Sequence, residues 1–325
     1  MLAKAQLLFY QNRFHLLPAI VDRAESLLDD STAAEPLRGE IDFFRGTFHL
    51  ARGDGHLSLK LIEAALERLP ATNHTVRGMA LIMLGLAGQM IGRRKTVIKR
   101  LTGVLDDPGA PLEIQLRVIR GLFWVHLIAG DLPAAETIAN QMRAAAIGKK
   151  GLYYFTLSSF AVGYIQFQRC QFDAAIQHFK AAAEHSHLLM RRNRIGCLVG
   201  LALAFEASGQ RDEASRIMAD LIEIGHATQD LKVQEIARSS QARFWLFAKE
   251  AGETSILNAV ADGEAPQTQS MLWWIEVAAI THCRTLLADE ALELGLVNHV
   301  VPPDEFEKRV TEFAAEVAAN APLAV

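Results

Sequence analysis

Five short turn signals recur along this chain at a nearly fixed interval. They fall at Gly53, Gly92, Gly130, Cys170 and Gly209, spaced by 39, 38, 40 and 39 residues. Between them, apolar residues repeat at the period of an α-helix. A constant interval in this range predicts an all-α array of helix pairs. Each pair is too small to bury its own apolar face, so neighbours must stack.

The units share an internal grammar. A first helix ends at a small residue, a turn follows, and a second helix carries an alanine five positions past the turn. A large apolar residue comes four positions later. In the fourth unit Gly163 precedes Cys170, and Phe172, Ala175, Phe179 and Ala182 follow. In the fifth, Leu201 and Phe205 precede Gly209, with Ala214 and Met218 beyond it. The third has Gly130, Leu132 and Ala135; the second Leu84, Gly85, Gly92, Val97 and Leu101; the first Gly46, Gly53, Ile62, Ala65 and Pro70. The small residues let paired helices approach closely, and glycine at the turn tolerates the positive φ that ends a helix.

Position by position, this grammar resembles the TPR family. Gln166 stands where that family usually has Tyr, and Cys170 where it has Gly. The interval exceeds the usual TPR unit. With the segments Leu7–Phe14 and Ser270–Ala288, it resembles the TPR-like superhelical region of MalT-type, LuxR-family ATP-dependent transcriptional regulators, over roughly residues 1–288. The resemblance implies a sensor region (1–287) without its usual companions. No phosphate loop is present, since Gly148-Lys149-Lys150 lacks the upstream glycine and the Ser/Thr. There is no helix-turn-helix signature either. The chain alone is therefore expected neither to hydrolyse ATP nor to bind nucleic acid.

Near residue 288 the grammar stops. Turns at Gly252 and near residue 290 are expected, yet residues 288–325 read as a short helix, a strand over Leu296–Val301 and an amphipathic helix opened by Pro302-Pro303-Asp304. Ala288, Glu290, Ala291, Gly295, Leu296, Val297, Val300, Val301 and Pro302, then Ala319, Pro322 and Ala324, resemble a C-terminal stretch of the crotonase (enoyl-CoA hydratase/isomerase) superfamily. In that family the oxyanion-hole loops and the acid–base carboxylates lie upstream of this stretch. Here helical repeats occupy that place, so the fragment is expected to be inactive. The join reads as a chimera of two fragments.

Half of the residues are hydrophobic and the net charge is −4, which excludes a disordered chain and a basic surface built for nucleic acid. Cys170, Cys197 and Cys283 are sparse and odd in number, as expected of free thiols in a cytoplasmic protein. The N-terminus does not read as a signal peptide, and the apolar run near Met79–Gly92 is too short for a membrane span.

By register, Arg117, Arg120, Trp124, Tyr164, Phe167 and Glu206 are expected to face a concave groove lined by first helices. Aromatic faces beside a few charges suit a small-molecule inducer such as a sugar, or a protein or peptide. The competing expectation is that the aromatics pack between repeats. His178, His185 and His187 lack partners at metal-ligand spacing, so a solvated turn is expected there rather than a metal site. His282 and Cys283, adjacent on a helix, point about 100° apart and should not form a nucleophile–base pair. The basic runs Arg93–Arg100 and Arg191–Arg194 read as solvated faces, and Trp273 and Trp274 as a cover for the end of the stack. No catalytic residue, metal or cofactor is expected. A non-catalytic binding module leads, with a crotonase-related protein and a non-functional chimeric product as alternatives.

Overall fold

A computed structural model describes residues 1–11, 13–29, 31–146, 151–228 and 231–248, together with Glu276, Ala278, 280–284, Lys308, Thr311 and Glu312. Among these residues the regular structure is all helix, with no strand. Thirteen α-helices are described: α1 (Leu2–Tyr10), α2 (Leu17–Glu25), α3 (Glu35–Ala51), α4 (Gly55–Arg68), α5 (His74–Met90), α6 (Arg94–Leu105), α7 (Leu112–Ile128), α8 (Leu132–Ala146), α9 (Leu152–Gln168), α10 (Phe172–Ala183), α11 (Arg191–Ala207), α12 (Arg211–Ala227) and α13 (Leu231–Ala248). Each packs on its neighbours in sequence, and α5 also packs directly on α7.

The five turns share one geometry. Gly53, Gly92, Gly130 and Gly209 have φ between 72° and 87°, and Cys170 has φ 57°, the one positive-φ residue other than glycine among the described residues. At each, the turn residue donates its N–H three residues back and the next residue donates five back. Thus Gly53 N–H bonds Leu50 O at 3.1 Å and Asp54 N–H bonds His49 O at 3.0 Å. Around Cys170 the same bonds run to Phe167 O at 3.0 Å and from Gln171 to Gln166 O at 2.9 Å. This Schellman closure satisfies carbonyls at the end of the first helix. The next helix begins at once, and Asp54 caps α4 by accepting the Leu57 N–H at 3.0 Å.

The odd and even helices bury different amounts of themselves. In α9 every residue from Thr156 to Ile165 is buried, so it is covered all round. Helix α10 buries only the stripe Ala175, Ile176, Phe179 and Ala182. Helices α5 and α4 repeat that contrast. From α5 to α10 the odd helices thus form an inner layer and the even helices an outer one.

Within a pair, small is set against large. A Cβ on Gly46 would lie 2.8 Å from Ile62 Cδ1, one on Gly85 3.1 Å from Leu101 Cδ1, and one on Gly163 2.8 Å from Phe179 Cδ1. All three glycines lie seven residues before a turn, and their partners nine after it. At the same positions α7 and α8 carry Phe123 and Ala139, both fully buried, so the sizes are exchanged. Helices α11 and α12 carry Ala202 and Met218 there.

The basic run on α6 is largely exposed, but two of its members staple helices. Arg94 Nη2 pairs with Asp131 Oδ2 at 2.6 Å, and Arg100 Nη1 with Glu63 Oε1 at 3.1 Å. The expected turns at Gly252 and near residue 290, the strand Leu296–Val301, the crotonase-like stretch, and Trp273 and Trp274 lie outside the described residues. Among the described residues no helix is long and apolar enough to cross a membrane.

Candidate ligand-binding site

Two glycines bring α7 onto α5. A Cβ on Gly121 would lie 3.3 Å from the Ile82 backbone, so only glycine permits this approach without displacement. One turn earlier, Arg117 lays its side chain across Gly78, where a Cβ would come within 2.3 Å of Arg117 Cδ. The two helices therefore present one continuous wall.

That wall lines a pocket. Met79, Ile82, Met83 and Leu86 come from α5, and Arg120 and Trp124 from α7. Phe9 and Phe14 close it from the N-terminal end, and Met190 and Asn193 from the start of α11. The cavity volume is about 50 Å³. Three of its walls are methionines, whose flexible thioethers adapt to varied shapes.

Two polar side chains enter this apolar lining. Arg120 is 8% exposed and Asn193 6%. Arg120 Nη1 donates to the Tyr153 hydroxyl at 2.9 Å, and Nη2 to Met79 Sδ at 3.0 Å. Both acceptors are neutral, and among the described residues no carboxylate lies within ion-pair distance of Arg120. Arg117, by contrast, has Glu113 at 3.6 Å.

Of the six groove residues expected from the sequence, Arg120 and Trp124 line this pocket. Arg117 sits one turn away over Gly78. Tyr164 and Phe167 are both 7% exposed and lie elsewhere. Burial pushes the Tyr164 hydroxyl up to about 12. The Arg243 guanidinium stacks over the Phe167 ring at 5.6 Å and pairs with the buried Glu276 at 3.2 Å. Glu206 is partly buried near the end of α11.

The α5 wall was present in the sequence. Met79, Ile82 and Leu86 precede Gly92 by the same offsets at which Arg117, Arg120 and Trp124 precede Gly130. Applying the register one unit earlier finds them. Phe9, Phe14, Met190 and Asn193 carry no such signal, because their place depends on how several units stack.

The remaining candidates have plain geometry. His185 precedes a short 3-10 turn (Ser186–Leu188) and His187 lies within it, with ring centroids 6.4 Å apart. Burial holds His178 below its usual pKa, helped by Arg143. No group of three or more His, Cys, Asp or Glu suited to a metal ion occurs among the described residues. His282 is buried while Cys283 is exposed, so they point apart. Cys197 is fully buried, its thiol donates to Phe179 O at 3.2 Å, and burial pushes its pKa to about 12.

No protein-family model, no curated protein and no solved structure matches this chain.

Proposed function

We propose that this chain is a TPR-like helical solenoid that acts as a non-catalytic binding module, with the pocket at Arg120 and Trp124 as its ligand site. The proposal follows the resemblance to the sensor region of MalT-type regulators. The observation that carries it is convergence: ten side chains from four separate parts of the chain wall one small, mainly apolar pocket. Its polar groups are a guanidinium and an amide. Both offer N–H donors, so the pocket is equipped to hold a ligand by hydrogen bonds.

Size bears on the ligand. At about 10–15 Å³ for each water-sized group, a cavity of about 50 Å³ takes roughly four non-hydrogen atoms. That favours one small apolar group over a sugar ring. The test is a fragment titration of protein carrying 13C-labelled methionine methyls. Fragments that bind should shift Met79, Met83 and Met190 together and leave Met142 and Met218, buried elsewhere, in place. A screen of small acids, alcohols, sugars and capped dipeptides that moves none of the three would refute the site.

A further inference from the structure

We propose that the pocket takes a short aliphatic monocarboxylate, with its carboxylate on Arg120 and Asn193 and its hydrocarbon among Met79, Met83, Met190 and Trp124. This rests on the binding-site reading above and names the chemistry of its ligand.

The argument begins with cost. A buried cation without a counter-charge is expensive, and proteins normally pair it or leave it in water. Among the described residues Arg243, on a side chain 13% exposed, follows that rule by pairing with Glu276. Arg120 is as deeply buried and has only a phenol and a thioether. Asn193 is also more than nine-tenths buried. Two sets of N–H donors thus border one apolar pocket, and those of Arg120 meet only neutral acceptors.

A carboxylate completes both. Arginine's fork matches its two oxygens, and such charge-assisted bonds are stronger than neutral ones. Phosphates and sulfates need more donors than this lining offers. Apart from the Trp124 indole, the other walls are apolar and hold no cation, which fits a ligand whose remainder is hydrocarbon. The cavity accepts roughly four non-hydrogen atoms, enough for the hydrocarbon part of a branched C5 acid whose carboxylate sits at the polar edge formed by Arg120 and Asn193.

The test uses the full chain at pH 7 and two probes with the same carbon skeleton, 3-methylbutanoate and 3-methylbutan-1-ol, titrated against the methionine methyls. The acid should bind with a dissociation constant lower than the alcohol's by about tenfold or more, and both should shift Met79, Met83 and Met190. In Arg120→Gln the acid should lose that advantage over the alcohol. Equal binding of acid and alcohol by the unaltered protein overturns the carboxylate assignment but keeps the pocket. Binding of neither overturns both. The comparison within the unaltered protein stands even if Arg120→Gln fails to fold. A peptide ending in leucine that binds tightly while the free acid does not would also overturn the assignment.

Discussion

Gly163 on α9 and Phe179 on α10 share one space: a methyl group on the glycine would lie 2.8 Å from the phenylalanine ring. Both are buried, Phe179 completely. The close contact within this helix pair therefore depends on the absence of a side chain at residue 163. Gly163→Ala gains helix propensity, worth about 1 kcal/mol, but overpacks the pair at a cost of about 1–3 kcal/mol. The expected net effect is a loss of about 1 kcal/mol, measured by urea unfolding. Phe179→Leu in the same chain should relieve it, so the double variant should be more stable than the sum of the two single effects. Strict additivity would show that the two positions do not compete.

Cys170 holds a left-handed conformation that its four counterparts assign to glycine. A side chain there costs about 1–2 kcal/mol, partly offset by the smaller entropy loss relative to glycine. Cys170→Gly should raise stability by about 1 kcal/mol, and Gly209→Ala should lower it by about the same amount. Thermal melts of the two variants check both signs.

Cysteine labelling separates the three thiols. Cys170 and Cys283 are exposed, whereas Cys197 is buried with its pKa raised to about 12. The thiolate is the reactive form. A maleimide at neutral pH should therefore modify two cysteines rapidly and the third only on unfolding, as read by intact mass. Rapid labelling of all three would contradict the packing of Cys197 against α10.

Arg45 links α3 to α2 by bonding Glu25 at 2.6 Å and Asp22 at 2.7 Å. Its hydrogen bond is the main cause holding the Glu25 carboxyl below its usual range. A lowered carboxyl pKa contributes stability above the unfolded value, about 4.3, and loses it as pH falls through the folded value. Arg45→Gln should therefore destabilise at pH 7, and the gap from the unaltered protein should narrow towards pH 3. Both carboxylates are half-exposed or more, so the effect should be modest and sensitive to salt. A gap that stays constant with pH would assign the loss to packing instead.

The turns were legible because they need a residue type, not a partner: four glycines and one cysteine mark the positive-φ positions at equal spacing. The small–large rule was legible where glycine faced Ile62, Leu101 or Phe179. It was hidden at Phe123 and Ala139, where the sizes are exchanged and no glycine signals the contact. The ion pairs of Arg94 and Arg100 were hidden for a similar reason. A charge on a helix face looks solvated until the next unit supplies Asp131 or the previous one Glu63. Arg120 and Trp124 were placed by register, whereas the closure of their pocket by Phe9, Phe14, Met190 and Asn193 depends on stacking across units.

The most direct test is a set of intermolecular NOEs from bound 3-methylbutanoate. The proposal predicts that its methyl protons contact Met83 on α5, Trp124 on α7 and Met190 beside α11 in a single complex. NOEs confined to one of these, or found on residues outside the pocket, would contradict a binding site built between the helix pairs.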